Sequence, residues 1–428
     1  MKVVLINKSD STGGAAVVTF RLMKAMRAAG IDARMLVAEK LTDSPYVELA
    51  APRWMLRQAF LRERLTVLAA NGMKRDTLFR IDNGACGAPL WRHPWIREAD
   101  AVIINWINQG MLSLRGVKKL LASGKRVLWT MHDMWCMTGV CHHAASCRRY
   151  ADGGQCGDCP LLADKANPDD LSHRVWLKKN KIYTHPYRSG LEPVFVAVSH
   201  WLADKAAQSS LLSARQVEVI PNVFSIDESL PLRGNKSPYE RIEVVMGAAR
   251  LDDPIKGFPT LISAMKALKV KDPAVFSRVR LSLFGTIRDY SLLEEIVADH
   301  RYLGRISPAE VCRLLHRSDI VVSTSDYETL PGTLVEGQAY GSVPVAFDSG
   351  GQRDIIDDGL TGFLAERTLF REESASNIAE GIIRAARALE TDGAAIRQRM
   401  RQAVERKFSI DTVTGAYMRL IEATGRKN

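Results

Sequence analysis

Short apolar runs rich in β-branched residues alternate along this chain with longer stretches of helical periodicity, and the series starts twice. That alternation predicts parallel strands covered by helices on both faces. In the first half the predicted strands are Val3–Asn7, Ala33–Ala38, Ala101–Trp106, Arg126–Thr130, Val194–Ser199 and Gln216–Pro221. Runs such as AVIINW and VFVAVS are apolar without a break, as strands buried on both faces are. The second series is Ile242–Ala248, Arg280–Phe284, Ile320–Thr324 and Pro344–Phe347. Between the two, FSIDESLPLRGNKSPYERIE concentrates Pro, Gly, Ser and charge, and predicts a linker near residues 224–240. A length of 428 residues suits two such domains. The expected fold class is therefore α/β, with two doubly wound Rossmann-like domains in residues 1–226 and 227–409. In such sheets ligands bind outside the carboxyl ends of the strands.

Charge is unevenly placed. Up to residue 226 there are 31 Lys and Arg against 19 Asp and Glu, net +12, while the remainder is −1. The basic excess suggests an anionic partner for the first half: nucleic acid, an acidic membrane surface or a lipid-phosphate acceptor. A soluble basic surface without a specific partner is the plain alternative. No run approaches the ~18 apolar residues of a membrane helix. MKVVLINKSD reads as a strand and lacks the pattern of a signal peptide. A cytoplasmic location is expected.

The stretch 323–365 carries the most chemistry. A strand ends at polar residues, a tight loop follows, and a helix is predicted to open near Gly332–Thr333. The backbone N–H groups of Gly332, Thr333 and Leu334 are expected to be free there to meet phosphate oxygens. Glu328 before the loop and Glu336 on the helix form an E-x7-E pair. Glu336 is placed to accept from a ribose diol, and Glu328 faces the transferred group. Read blandly, one is a loop carboxylate and the other compensates the helix dipole. Upstream, Arg250 and Lys256 flank a loop after another strand, where two cations suit a diphosphate that leaves with negative charge. The chain contains no D-x-D, so positive charge at a diphosphate has to come from side chains, and no catalytic metal is expected. As an isolated pair they are equally read as solvated loop cations.

GAARLDDPIKG, SPAEVCRLLHRSDIVVSTSDYETLPGTLVEGQAYGSVPV and GGQRDIIDDGLTGFL together resemble the donor domain of the family 4 glycosyltransferases, across residues 242–365. The resemblance implies a retaining hexosyltransferase of GT-B fold, two facing domains with a central cleft. It implies a nucleotide-diphosphate sugar as donor and a helix in 410–428 crossing back to the first domain. It assigns Arg250 and Lys256 to the donor diphosphate, Glu336 to the ribose and Glu328 to the transferred sugar. Gly337 departs from the Ala usual after the ribose Glu.

In the first half, Gly13 and Gly14 open a helix after the first strand, where backbone can approach an anion. The resemblance sets this loop beside the donor phosphates. His132 and Asp133 follow a buried strand; the resemblance places His132 against the donor sugar, although an isolated His is more often a packing residue. Ser199 and Asn222 are weaker candidates. The helix predicted over residues 52–68 and the stretch 177–190 are basic, and fit either an anionic membrane carrying a polyprenyl-diphosphate-linked acceptor or an ordinary solvated face.

Within residues 136–160, Cys141, Cys147, Cys156 and Cys159 form a C-x5-C-x8-C-x2-C array, with Cys136, His142 and His143 nearby. A structural zinc, reduced packing cysteines and disulfides all remain open. A Cys-bearing insert at this place resembles a bacterial subset of the family that builds exopolysaccharides such as colanic acid. That implies a glycan or lipid-linked glycan acceptor in polysaccharide biosynthesis, while the basic first half fits peripheral contact with the inner face of the cytoplasmic membrane. Rival readings are a sugar-nucleotide epimerase of the same fold and a non-catalytic basic nucleic-acid-binding protein. The second leaves the Arg, Lys and paired Glu unexplained. A nicotinamide enzyme is disfavoured because no G-x-G occurs.

Overall fold

The computed structural model describes residues 1–75, 77–187, 191–224 and 230–423. They form two compact units, Met1–Val223 with Ile410–Asn428, and Phe224–Ser409. The boundary expected at residues 226–227, the end of the basic stretch 177–190 and the end of the expected segment 410–428 lie outside the described residues.

The first unit is built on seven parallel strands: β1 (Lys2–Ser9), β2 (Asp32–Glu39), β3 (Val47–Leu49), β4 (Ala101–Ile104), β5 (Arg126–Met131), β6 (Val194–Ala197) and β7 (Val217–Val219). Their spatial order is β3-β2-β1-β4-β5-β6-β7. Val3 of β1 registers with Ala33 on one side and Ala101 on the other. Every residue of β4, β5 and β6 is buried, which explains their unbroken apolar sequences. On one face Val3, Leu5, Ile103 and Leu128 pack with Met23 and Met26 of the helix Gly14–Ala28. Val413 and Tyr417 of the helix Ile410–Glu422 belong to the same core. The Tyr417 hydroxyl shares a 2.8 Å hydrogen bond with Thr130 Oγ1, and Arg126 Nε donates to the Leu420 carbonyl at 3.1 Å. The last helix is thus an integral layer of the first unit.

The second unit has six parallel strands: β8 (Ile242–Arg250), β9 (Val279–Thr286), β10 (Asp299–Tyr302), β11 (Ile320–Ser323), β12 (Val343–Phe347) and β13 (Phe363–Ala365). Their order is β10-β9-β8-β11-β12-β13. In both sheets the order reverses, between β1 and β4 and between β8 and β11. The carboxyl ends of those four strands are where such a sheet offers a ligand crevice.

Three strands have no counterpart among those predicted: β3, β10 and β13. All three are sheet edges, of three or four residues. β3 (VEL) and β10 (DHRY) carry polar residues on a partly solvated edge, and β13 (FLA), though apolar, is only three residues long.

The helix Gly332–Tyr340 lies against β11 so closely that a Cβ on Gly337 would stand 2.4 Å from Val321 Cγ1. This accounts for glycine where alanine is usual in the family it resembles. Gly337→Ala gains about 1 kcal/mol of helix propensity. It forces a stiff β-branched neighbour aside at a cost of about 1–3 kcal/mol. Net destabilisation is expected in urea unfolding, and adding Val321→Ala should relieve the overlap and restore part of the loss.

Candidate functional site

In the second unit, β8 delivers Arg250 to its carboxyl end and a 3-10 turn at Pro254–Lys256 delivers Lys256. Gly257 closes that turn with φ of 64°, and a Cβ there would meet the Thr324 carbonyl oxygen at 2.0 Å. The turn is stitched to the end of β11: Thr324 Oγ1 donates to the Gly257 carbonyl at 2.9 Å, and Asp326 N to the Ile255 carbonyl at 2.9 Å. This lacing brings Lys256 Nζ to 2.9 Å from Glu328 Oε1, which also accepts from Ser325 Oγ at 2.8 Å. Both side chains keep partial access to solvent, at 28% and 22%. Glu328 is held from behind by Gly351, whose N–H donates to the Glu328 carbonyl at 2.8 Å. A Cβ on Gly350 would stand 2.4 Å from that carbonyl oxygen. The Gly350–Gly351 pair therefore permits close approach of one loop to the next.

Arg250 makes its contacts within its own loop, Nη2 to Asp253 Oδ2 at 3.1 Å and Nε at 3.6 Å from Asp252 Oδ1. The helix Gly332–Tyr340 starts after Pro331 without a side-chain cap. No hydrogen bond from the N–H of Gly332 or Thr333 is present among the described residues. Leu334 departs from expectation: its N–H donates to the Pro331 carbonyl at 3.1 Å and its side chain is fully buried. A first turn tightened into a 3-10 bond uses one amide that a regular helix start leaves open. Glu336 is half-buried one turn into the helix.

The first unit presents its own strand ends. Gly13, with φ of 90°, precedes the helix Gly14–Ala28, and nothing lies within 4 Å of a Cβ placed at Gly13 or Gly14. His132 follows β5, and its Nε2 lies 3.0 Å from Asn105 Oδ1 beyond β4. It lines a small cavity with Asn105, Thr130, Asn222 and Tyr417. Burial lowers the His132 pKa to about 4, against the pull of Asp133, so the imidazole is neutral near pH 7. Ser199 is engaged in capping: its Oγ accepts from Leu202 N at 3.2 Å at the start of the helix His200–Gln208.

Asp133, next to His132, belongs to a buried chain of charges that the sequence pattern did not disclose. His142 Nδ1 lies 2.7 Å from Asp133 Oδ2, and His142 Nε2 lies 2.8 Å from Asp82 Oδ2. Trp106 Nε1 also donates to Asp133 at 2.8 Å, and Arg64 hydrogen-bonds Asp82. Burial alone would lower the His142 pKa, but the two carboxylates raise it to about 10. Burial opposes ionisation of Asp133 as well, yet His142 holds its pKa at about 2. Glu63, next to this chain, is raised to about 8 by burial and by Asp82. The members of this network are scattered along the sequence, His142 lying 60 residues from Asp82 and Trp106 27 from Asp133, so no local pattern joined them.

Cys141, Cys147, Cys156 and Cys159 line one small cavity of the first unit. Among the described residues no set of three or more His, Cys, Asp or Glu forms a shell that would hold a metal ion. Also among them, no helix is long and apolar enough to cross a membrane.

Residues 233–405, most of the second unit, match the family model of glycosyl transferases group 1. WcaC of Escherichia coli K12, assigned as a colanic acid biosynthesis glycosyl transferase, is 23% identical over 274 residues, 61% of this chain and 63% of that protein. A glycogen synthase of Pseudomonas paraeruginosa is 31% identical over 126 residues, 28% of this chain and 23% of that enzyme. The chain thus spans less than two thirds of the length of these curated relatives. Among solved structures, Anabaena Alr3699/HepE in complex with UDP and glucose superposes with a TM-score of 0.59 at 16% identity, over 99% of this chain and 100% of that one. The apo lipopolysaccharide outer core galactosyltransferase WaaB gives 0.59 at 15% identity, over 99% of both chains. These likenesses show the fold: two Rossmann-like parallel-sheet domains of the GT-B class.

Proposed function

We propose that the chain is a retaining glycosyltransferase of family 4, moving a hexose from a nucleotide-diphosphate sugar to a glycan or polyprenyl-diphosphate-linked glycan in bacterial polysaccharide biosynthesis. The observation that carries this reading is the contact of Lys256 with Glu328 beyond the carboxyl end of β11, with Arg250 at the carboxyl end of the neighbouring β8 and an uncapped helix start at Gly332 following in the chain. These residues fall inside the segment matching group 1 glycosyl transferases. UDP in the HepE complex supports a nucleotide donor, and the WcaC likeness supports the polysaccharide setting.

In this reading the C1–O bond to the diphosphate breaks, a new C1–O bond forms to the acceptor hydroxyl, and the acceptor proton passes to a diphosphate oxygen on the same face. Arg250, Lys256 and the Gly332 and Thr333 amides stabilise the charge that develops on the departing diphosphate. Glu328 orients Lys256 and contacts the transferred sugar, and Glu336 accepts from the ribose hydroxyls. Neutral His132 donates or accepts a hydrogen bond at the sugar and does not serve as an acid. The basic first domain exposes Trp54, Leu61 and Leu65 beside Arg53, Arg57 and Arg62 on the helix Arg53–Ala70. That surface suits an anionic membrane from which a lipid-linked acceptor is taken.

The test is a thermal-shift panel with UDP, GDP, ADP and dTDP on the wild-type chain and on Glu336→Ala and Arg250→Ala. One nucleotide is expected to raise the Tm of the wild type and to do so less in both variants. No shift with any nucleotide, from folded protein, would sink the donor-site assignment.

A further inference from the structure

Cys141, Cys147 and the two cysteines of the CGDC turn, Cys156 and Cys159, all line the same cavity, together with Gly139 and Ser172. The backbone that brings them there is held in costly conformations. Six non-glycine residues have positive φ among the described residues, and four of them, Ala145, Asp152, Cys156 and Asp158, lie in this segment. Left-handed backbone costs a non-glycine residue roughly 1–2 kcal/mol and persists only where the surroundings fix it. Here the CGDC turn is fixed closely. Gly157 N donates to Ser172 Oγ at 2.9 Å, and Cys159 N to Asp170 Oδ2 at 2.7 Å. A Cβ on Gly157 would stand 2.5 Å from the Pro168 carbonyl oxygen, so the turn admits only glycine at its centre.

A second observation concerns charge. Lys179 is fully buried, and its ammonium donates to the carbonyls of Trp135, Thr138 and Gly139. No carboxylate forms an ion pair with it among the described residues. The Gly139 amide, in the same turn, points at Cys156 Sγ at 3.2 Å. A buried cation without an anion costs several kcal/mol.

We propose that Cys141, Cys147, Cys156 and Cys159 bind one zinc ion in a closed, tetrahedral, structural site, with Lys179 offsetting its negative charge. Four thiolates satisfy zinc fully and leave no open position, so the site stabilises the segment and takes no part in transfer. The sulfurs are not gathered into a shell, so zinc binding has to draw the four cavity-lining cysteines together. Zinc replaces four S–H protons by four Zn–S bonds, releases the four protons to solvent, and leaves a site of charge −2. The proposal does not rest on glycosyl transfer, because metal content is measured without substrate.

The experiment is metal analysis of the full chain, purified under reducing conditions without chelator, beside Cys159→Ser and, as a control in the other unit, Cys312→Ser. One zinc per chain is expected in the wild type and in Cys312→Ser, with its loss from Cys159→Ser on dialysis against a chelator. Should Cys159→Ser fail to fold, thiol titration of the wild type decides: four of the seven cysteines should react only after zinc is removed. A folded wild type without zinc, zinc retained by Cys159→Ser, seven freely reactive thiols, or a disulfide among the four would each overturn the assignment.

Discussion

Replacing His142 by alanine is expected to lower the stability of the chain by about 3–5 kcal/mol, because it leaves two buried carboxylates without their shared cation. Asp82 is fully buried and Asp133 nearly so, and each gives one oxygen to the imidazole at 2.8 and 2.7 Å. Urea unfolding measures the loss, and a change below ~1 kcal/mol would show that the pair tolerates separation. The pH dependence has a defined sign. The His142 pKa in the fold, about 10, lies above the ~6.5 of an unfolded histidine. Its contribution is therefore fully present below pH ~6.5 and declines from there as pH rises to about 10. Asp133 behaves oppositely: with a folded pKa of about 2, its contribution holds above the unfolded ~3.9 and is lost in strong acid. The gap between wild type and His142→Ala should thus be wider at pH 6 than at pH 9. A gap that widens with pH would contradict a bridging imidazolium.

Lys256→Ala should lower the rate of sugar transfer by about 10²–10³-fold, the usual cost of removing one preorganised group aimed at developing charge. It should hardly change stability. The Lys256–Glu328 pair is partly exposed, at 28% and 22%, and such pairs contribute about 0–1 kcal/mol. A large rate loss with an unchanged urea midpoint separates a group acting on the donor from one that only ties two loops together. The assay follows release of the nucleoside diphosphate identified by the thermal-shift panel, with Lys256→Arg as a charge-preserving comparison. A variant as active as the wild type would remove Lys256 from the diphosphate site.

Much of the architecture could be read before any coordinates. The central strands announced themselves because burial on both faces demands unbroken apolar runs such as AVII of β4 and VFVA of β6. Edge strands β3, β10 and β13 carry no such demand and were not visible. The spacing of Glu328 and Glu336 and the cations at Arg250 and Lys256 were legible as local motifs. That Lys256 and Glu328 touch was not, since they are 72 residues apart and meet only because Thr324 and Gly257 interlock.

Sequence alone determined two parallel sheets, the cations and carboxylates available at strand ends, and four cysteines at suggestive intervals, because each is written in local periodicity or spacing. Tertiary structure alone decided the pairings. It chose Thr130 of β5 as the partner of Tyr417, 287 residues away in the chain. It tied up the Leu334 amide that a helix start was expected to leave open. It took His142 away from the neighbouring cysteines and set it between Asp82 and Asp133, 60 and 9 residues distant. Such partners are selected by burial, where an ionised group must find its counter-charge wherever the fold brings one, and no local pattern encodes that choice.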